Sequence, residues 1–242
     1  MVDTDVATDA EIVAAITALG LGSAAAKSVG TAANNVVQLD GSAKLPAVDG
    51  SQLTNMPGNG RRLLATGTIA NSATSLDLVL TAYSTWRDIT IEIESATPAT
   101  NNVDLRAQFS TDGGATYDSA ASSYDWAVYG VHGAAAVTAG SGTTPATFIQ
   151  LNGNPSAGVG NGASGGGLWQ VKLWDHANTG QFTKLTYTSA GSKSAAGTPQ
   201  PWMYTGYGAR LANQDTDAIR FAWSSGNFAA SSPGTYRIYG EN

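Results

Sequence analysis

The groups able to do chemistry in this 242-residue chain are few and scattered. There are two histidines, His132 and His176, and no cysteine. Without thiolates, and without H-x-H or H-E-x-x-H spacing, no transition-metal site is expected. Ser164 matches G-x-S-x-G only formally, in the glycine-rich run Gly162–Gly166, which is followed by a strand-like segment and not by the helix that a nucleophile elbow needs. Trp174-Asp175-His176 is the one run that joins an aromatic, a carboxylate and an imidazole, and its plain reading is a strand end followed by a turn. Asp215-Thr216-Asp217, beside Asn213 and Gln214, offers oxygen donors for Ca²⁺ but lacks further spaced ligands and reads as a polar turn. Eighteen acidic residues allow many carboxylate pairs for glycosidic cleavage, yet no feature singles one out. No catalytic residue, metal ligand or cofactor is expected.

Two glycine patterns have bland readings. Ser110-Thr111-Asp112-Gly113-Gly114-Ala115-Thr116-Tyr117 fits S-x-D-x-G-x-T-aromatic, in which the Asp ties a hairpin turn and the glycines accept positive φ. Gly160-x-Gly162-x-x-Gly165 matches the dinucleotide fingerprint only formally. That motif needs a helix after it, whereas the next periodic segment is the strand-like Leu168–Trp174. Residues 152–167 read as a long loop.

The aromatics carry more. Trp169, Phe221 and Trp223 alternate with aliphatic residues and are expected in a core, whereas Trp126, Tyr129, Trp174, Trp202, Tyr204 and Tyr207 fall at strand ends or on the other parity. A ring stacks on the apolar face of a sugar while nearby polar groups bond its hydroxyls. Trp126, Tyr129, Trp174, His176, Trp202 and Tyr204 are therefore the candidate glycan-binding residues. The competing reading packs these rings between subunits or under loops.

These residues belong to a β-rich region. Ile89, Ile91 and Ile93 alternate with Thr90, Glu92 and Glu94, and Val103, Leu105, Ala107 and Phe109 repeat the pattern. Leu168–Trp174 puts Trp169, Val171 and Leu173 on one face. Lys184–Thr188, Ile219–Trp223 and Tyr236–Tyr239 are further strands, and Thr66–Ile69, Leu76–Leu80, Ala127–Val131, Phe148–Leu151 and Met203–Arg210 are weaker ones. Short strands between Gly/Asn/Ser/Pro turns over residues 61–242 predict an antiparallel, jelly-roll-like β-sandwich.

The N-terminal part differs. Thr8-Asp9-Ala10-Glu11 fits a capping box, followed by Ile12, Val13, Ile16 and Leu19 at helical spacing and closed by Gly20 and Gly22. Residues 1–35 are thus a short helix and connector. Residues 36–60 are punctuated by Gly41, Pro46, Gly50, Pro57 and Gly58, so no helix or long strand persists. Yet Val37, Leu39, Leu45, Val48, Leu53 and Met56 recur, and extended chain with regular apolar anchors must bury them. Two more copies of itself around a three-fold axis would do so, making this a trimerising neck.

Composition narrows the class. Charged residues are only 12%, about half the usual share. The net charge of −6, with Arg61–Arg62 the one basic pair, argues against a nucleic-acid partner. No basic n-region precedes an apolar run, and no run is long enough to insert in a membrane.

The segment LDGSAKLPAVDGSQLTN resembles one that recurs in bacteriophage tail-fibre and head-fibre proteins, between a virion-attachment end and a distal β domain. The closing DAIRFAWSSGNFAASSPGTYRIYGEN resembles the last two strands of jelly-roll tip domains in phage appendages. The resemblance implies a homotrimeric, non-enzymatic virion protein assembled in the host cytoplasm. Residues 1–35 would attach it to another virion protein, and residues 61–242 would form a tip that adheres to a host cell-surface glycan. A head-fibre or capsid-decoration protein with accessory adhesion is the nearest alternative. A glycan-degrading tailspike is a more distant one, because such enzymes are repetitive and no fixed period occurs here.

Overall fold

The computed structural model describes residues 9–18, 60–133, 138–141, 146–153, 158–162, 165–195 and 198–241. The chain divides into two units, Met1–Pro57 and Gly58–Asn242. In the first, helix α1 spans Asp9–Ala18 within the predicted helix. Ile12 and Val13 are exposed along it. The cap Thr8, the connector and the neck residues Val37, Leu39, Leu45, Val48, Leu53 and Met56 lie outside the described residues.

The second unit is an antiparallel β-sandwich, as expected. Its strands are β1 (Arg62–Thr68), β2 (Leu76–Val79), β3 (Asp88–Ala96), β4 (Leu105–Ser110), β5 (Tyr124–His132), β6 (Thr138–Ser141), β7 (Ile149–Gln150), β8 (Gly166–Trp174), β9 (Lys184–Ala195), β10 (Thr198–Arg210), β11 (Ala218–Trp223) and β12 (Thr235–Glu241). One sheet has the order β1-β12-β3-β8-β9-β10-β5-β6 and the other β2-β11-β4-β7. Pairing is nested: β1 with β12, β2 with β11, β3 with β8 and β4 with β7. The hairpins β5–β6 and β9–β10 widen the larger sheet beyond β8.

Alternation accounts for the strands that read clearly. Ile89, Ile91 and Ile93 of β3, Leu105, Ala107 and Phe109 of β4, and Val171 and Leu173 of β8 are all fully buried. With about 25 cal/mol per Å² of apolar surface removed from water, such inward rows hold the sheets together. An aromatic chain crosses the gap between them. Trp169 of β8 lies 5.8 Å from Trp202 of β10 and 5.8 Å from Trp223 of β11, and Trp223 lies 5.5 Å from Phe228. The Trp169 Nε1–H donates to the Leu151 carbonyl at 3.0 Å, so the ring is fixed as well as buried.

The hairpin β9–β10 runs past its predicted limits into small residues and prolines. Proline has no N–H to give a ladder. The Pro201 carbonyl accepts from the Gly133 N–H at 2.8 Å, just past the end of β5, so the proline nitrogen faces that side and β9 loses no bond. In β3 the register with β8 shifts between Ile93 and Ala96, where Ser95 has φ +55°. Such a bulge re-aims the residues beside it.

Candidate functional site

Only two of the six candidate glycan residues present their rings to solvent. Trp202 and Tyr204 are 3% and 1% exposed and belong to the core. In β10 the inward parity is 202, 204, 206, 208, while Met203, Thr205 and Tyr207 point outward and are exposed. The large rings fit inside because glycines lie beside them. A Cβ at Gly130 would run into the backbone at Met203 and the ring of Tyr204, and one at Gly191 would run into Trp202. Trp126, on the inward parity of β5, is half-buried and packs against the core. His176 is 1% exposed in the turn after β8. Burial pushes its imidazole below the usual histidine range, against the pull of Asp175, Asp88 and Asp215. Trp126, His176, Trp202 and Tyr204 are thus packing residues, not sugar platforms. Tyr129 and Trp174 remain, 54% and 40% exposed on the outer face of the larger sheet.

That outer face is organised in rows across the strands. One row reads Leu168, Ala190, Met203, Val131. The next reads Glu92, Gln170, Thr188, Thr205, Tyr129. A third reads Tyr239, Thr90, Lys172, Thr186, Tyr207. Between the second and third lies a groove of about 340 Å³. Its lining is Thr90, Thr186, Thr188 and Thr205 with Gln170, and Arg61, Lys172 and Glu241 at the β12 side.

Every charge of the groove is paired. Lys172 Nζ lies 2.5 Å from Glu241 and 3.3 Å from Asp88, and Arg61 lies 2.9 Å from Glu92. Thr90 Oγ1 donates to Glu241 at 2.9 Å. The Lys172 bond holds the Glu241 carboxyl below the usual carboxylate range. Burial raises Asp88 and Glu92, but Arg87 and Lys172 for the one and Arg61 for the other outweigh it, so both end below their ordinary values. Trp174 stands at the rim, its Nε1–H donating to Thr186 Oγ1 at 3.1 Å and the Lys172 ammonium 4.2 Å from its ring centre. The ring is therefore held in place from two sides.

The arrangement offers hydroxyls, an amide and fixed ions on a flat floor, with aromatic edges at Trp174, Tyr207 and Tyr129. It suits a polyhydroxylated ligand. Sequence reasoning missed the floor. Thr186 and Thr188 could have been found as the outward residues of the Leu185/Tyr187 alternation. Arg61, Thr90, Lys172 and Glu241 come from four strands or strand ends and meet only through pairing.

The remaining motifs are turns and loops. Asp112 accepts from the Thr116 N–H at 2.8 Å and the Thr116 hydroxyl at 2.6 Å, with Gly113 and Gly114 at positive φ. Those bonds hold its carboxyl near a pKa of about 2. Around the glycine fingerprint, the Gly165 N–H bonds the Gly162 carbonyl and strand β8 follows, with no helix to receive a pyrophosphate. Asp215-Thr216-Asp217 is instead a loop tied down by other segments: the Asp215 carbonyl accepts from Arg210 Nη1 at 3.0 Å, and the Thr216 and Asp217 N–H groups donate to the His176 and Ser110 carbonyls. Among the described residues no group of three His, Asp or Glu could hold a metal, and no helix is long and apolar enough to cross a membrane.

No protein-family model matches the chain, and no curated protein or solved structure is significantly similar to it. The site stands on its own geometry.

Proposed function

We propose that this protein is a homotrimeric bacteriophage fibre or appendage subunit whose β-sandwich adheres to a host-surface glycan through the groove on the outer face of its larger sheet. The observation that carries the adhesive part is the threonine floor beside an immobilised, exposed Trp174. A fixed ring loses little freedom when a sugar stacks on it, and hydroxyl-rich floors exchange water bonds for sugar bonds at little net cost. The nested pairing of the eight strands other than β5–β6 and β9–β10 supports reading the sandwich as a jelly roll. The appendage part rests on the fibre-like wording of residues 36–57 and of the closing segment, with residues 36–60 as the trimerising neck. A trimer would present three weak sites at once, and multivalency turns weak sugar contacts into firm adhesion.

Binding rather than cleavage is favoured by the carboxylates. Glu92, Glu241 and Asp88 are each ion-paired and held low, so none is a protonated general acid at neutral pH, which glycosidic cleavage requires.

A microarray of bacterial surface polysaccharides, probed with the full chain and with Trp174→Ala, tests the adhesive reading. Retention of a polysaccharide by the wild type and its loss by the variant is the expected result; silence across the array overturns it. Sedimentation of the full chain should give a trimer, and a monomer would remove the neck from the account.

A further inference from the structure

We infer that the groove is part of a longer track, and that the face takes an internal stretch of an extended neutral polysaccharide and not a terminal sugar. This rests on the glycan reading above and adds the length and charge of the ligand.

Two more hollows lie on the same face, the first continuous with the groove and the second joined to the first by a cross-strand row. One, of about 210 Å³, is formed by Tyr129, Val131 and Met203 together with Thr188 and Thr205. Those two threonines also line the groove, so the two are continuous. The other, of about 460 Å³, lies where β3 bulges, between Ser95, Thr97, the backbone of Gly165–Gly167, Leu168 and Ala190. Leu168 and Ala190 stand in one cross-strand row with Met203 and Val131, which joins this hollow to the first. The track crosses β3, β8, β9, β10 and β5. Four strand spacings of about 4.8 Å make it about 19 Å long, more than a mono- or disaccharide fills.

Its chemistry alternates as a sugar chain does. Leu168, Met203, Val131 and the Tyr129 ring offer apolar surface, and all four are exposed. Exposed apolar groups collected on one face mark an interaction site. Threonine hydroxyls and Gln170 offer hydrogen bonds between them. The two further hollows are lined by no charged side chain, and the cations of the groove are already neutralised by Asp88, Glu92 and Glu241. An anionic chain would find no unpaired cation along the track and would meet those carboxylates. A neutral chain meets no such penalty.

The test uses the full chain and a polysaccharide retained on the array, with its size-fractionated di-, tetra- and hexasaccharides, in a calorimetric titration. Affinity is expected to rise from di- to hexasaccharide. Leu168→Ala combined with Met203→Ala should weaken the hexasaccharide about tenfold while leaving the disaccharide unchanged; Trp174→Ala should weaken both. Both positions are exposed, so unaltered thermal melting is the control for folding. Equal affinity for di- and hexasaccharide would overturn the extended track while leaving the groove reading intact. So would a double variant that alters the oligomeric state and leaves hexasaccharide binding untouched, since the further hollows would then be subunit contacts. Retention of anionic polysaccharides alone would overturn neutrality, and retention of none would fall on the groove reading itself.

Discussion

Asp104 carries a charge that opposes the fold. It is buried at the head of β4, where its Oδ1 accepts from Asn152 Nδ2 at 3.0 Å and its N–H donates to Ser224 Oγ at 3.0 Å. Burial pushes its carboxyl up to about 6, although Arg106 and Asn152 pull the other way. The folded state thus holds the proton more tightly than the unfolded chain. The stability this contributes is complete below the unfolded value of about 3.9 and is lost as pH rises through about 6. Asp104→Asn keeps an acceptor for Asn152 without the buried charge. It should raise stability by about 2 kcal/mol at about pH 7.5 and leave it unchanged near pH 3.5, read from urea unfolding at the two values. Little of this was legible in advance. Asp104 alternates with Val103 and Leu105 as an outward residue should, and only the meeting of β4 with Asn152 and Ser224 encloses it.

At the scale of elements, alternation decided what could be read. β3, β4 and β8 carry aliphatics on one parity and polar residues on the other, and their inward rows are the core. β10 carries Trp202 and Tyr204 on one parity and Met203 and Tyr207 on the other, so pattern alone does not choose the inner face. The choice is made by glycines on neighbouring strands. Gly130 of β5 lies opposite Tyr204, and Gly191 of β9 opposite Trp202, leaving room for rings on that side only. Gly130→Ala should cost about 1–3 kcal/mol, because its methyl meets both backbone and ring, and the loss should appear in thermal melting as reduced stability without altered strand content. An unchanged melting temperature would show that β10 does not depend on that space. β6 was not foreseen, since Thr138–Ser141 has no apolar alternation and is a strand only by pairing with β5.

For the whole molecule, the sandwich leaves one broad sheet face uncovered by its partner sheet, and the threonine groove with Trp174 lies on it. The residues that build the groove span positions 61 to 241 and meet only through strand pairing, which is why it was not legible in the sequence. Of its six candidates, Trp174 and Tyr129 are exposed on this face, whereas Trp202, Tyr204, Trp126 and His176 pack against the core. On the proposed function this face, and not a loop cluster or the smaller sheet, touches the glycan. Methyl resonances of the full chain, followed while a host-surface polysaccharide is added, test it most directly. The methyls of Thr186, Thr188 and Thr205 should shift while those of Leu78 and Ile219, in the smaller sheet, stay in place. Shifts confined to the smaller sheet or to the loops, with the three threonines unmoved, would contradict it.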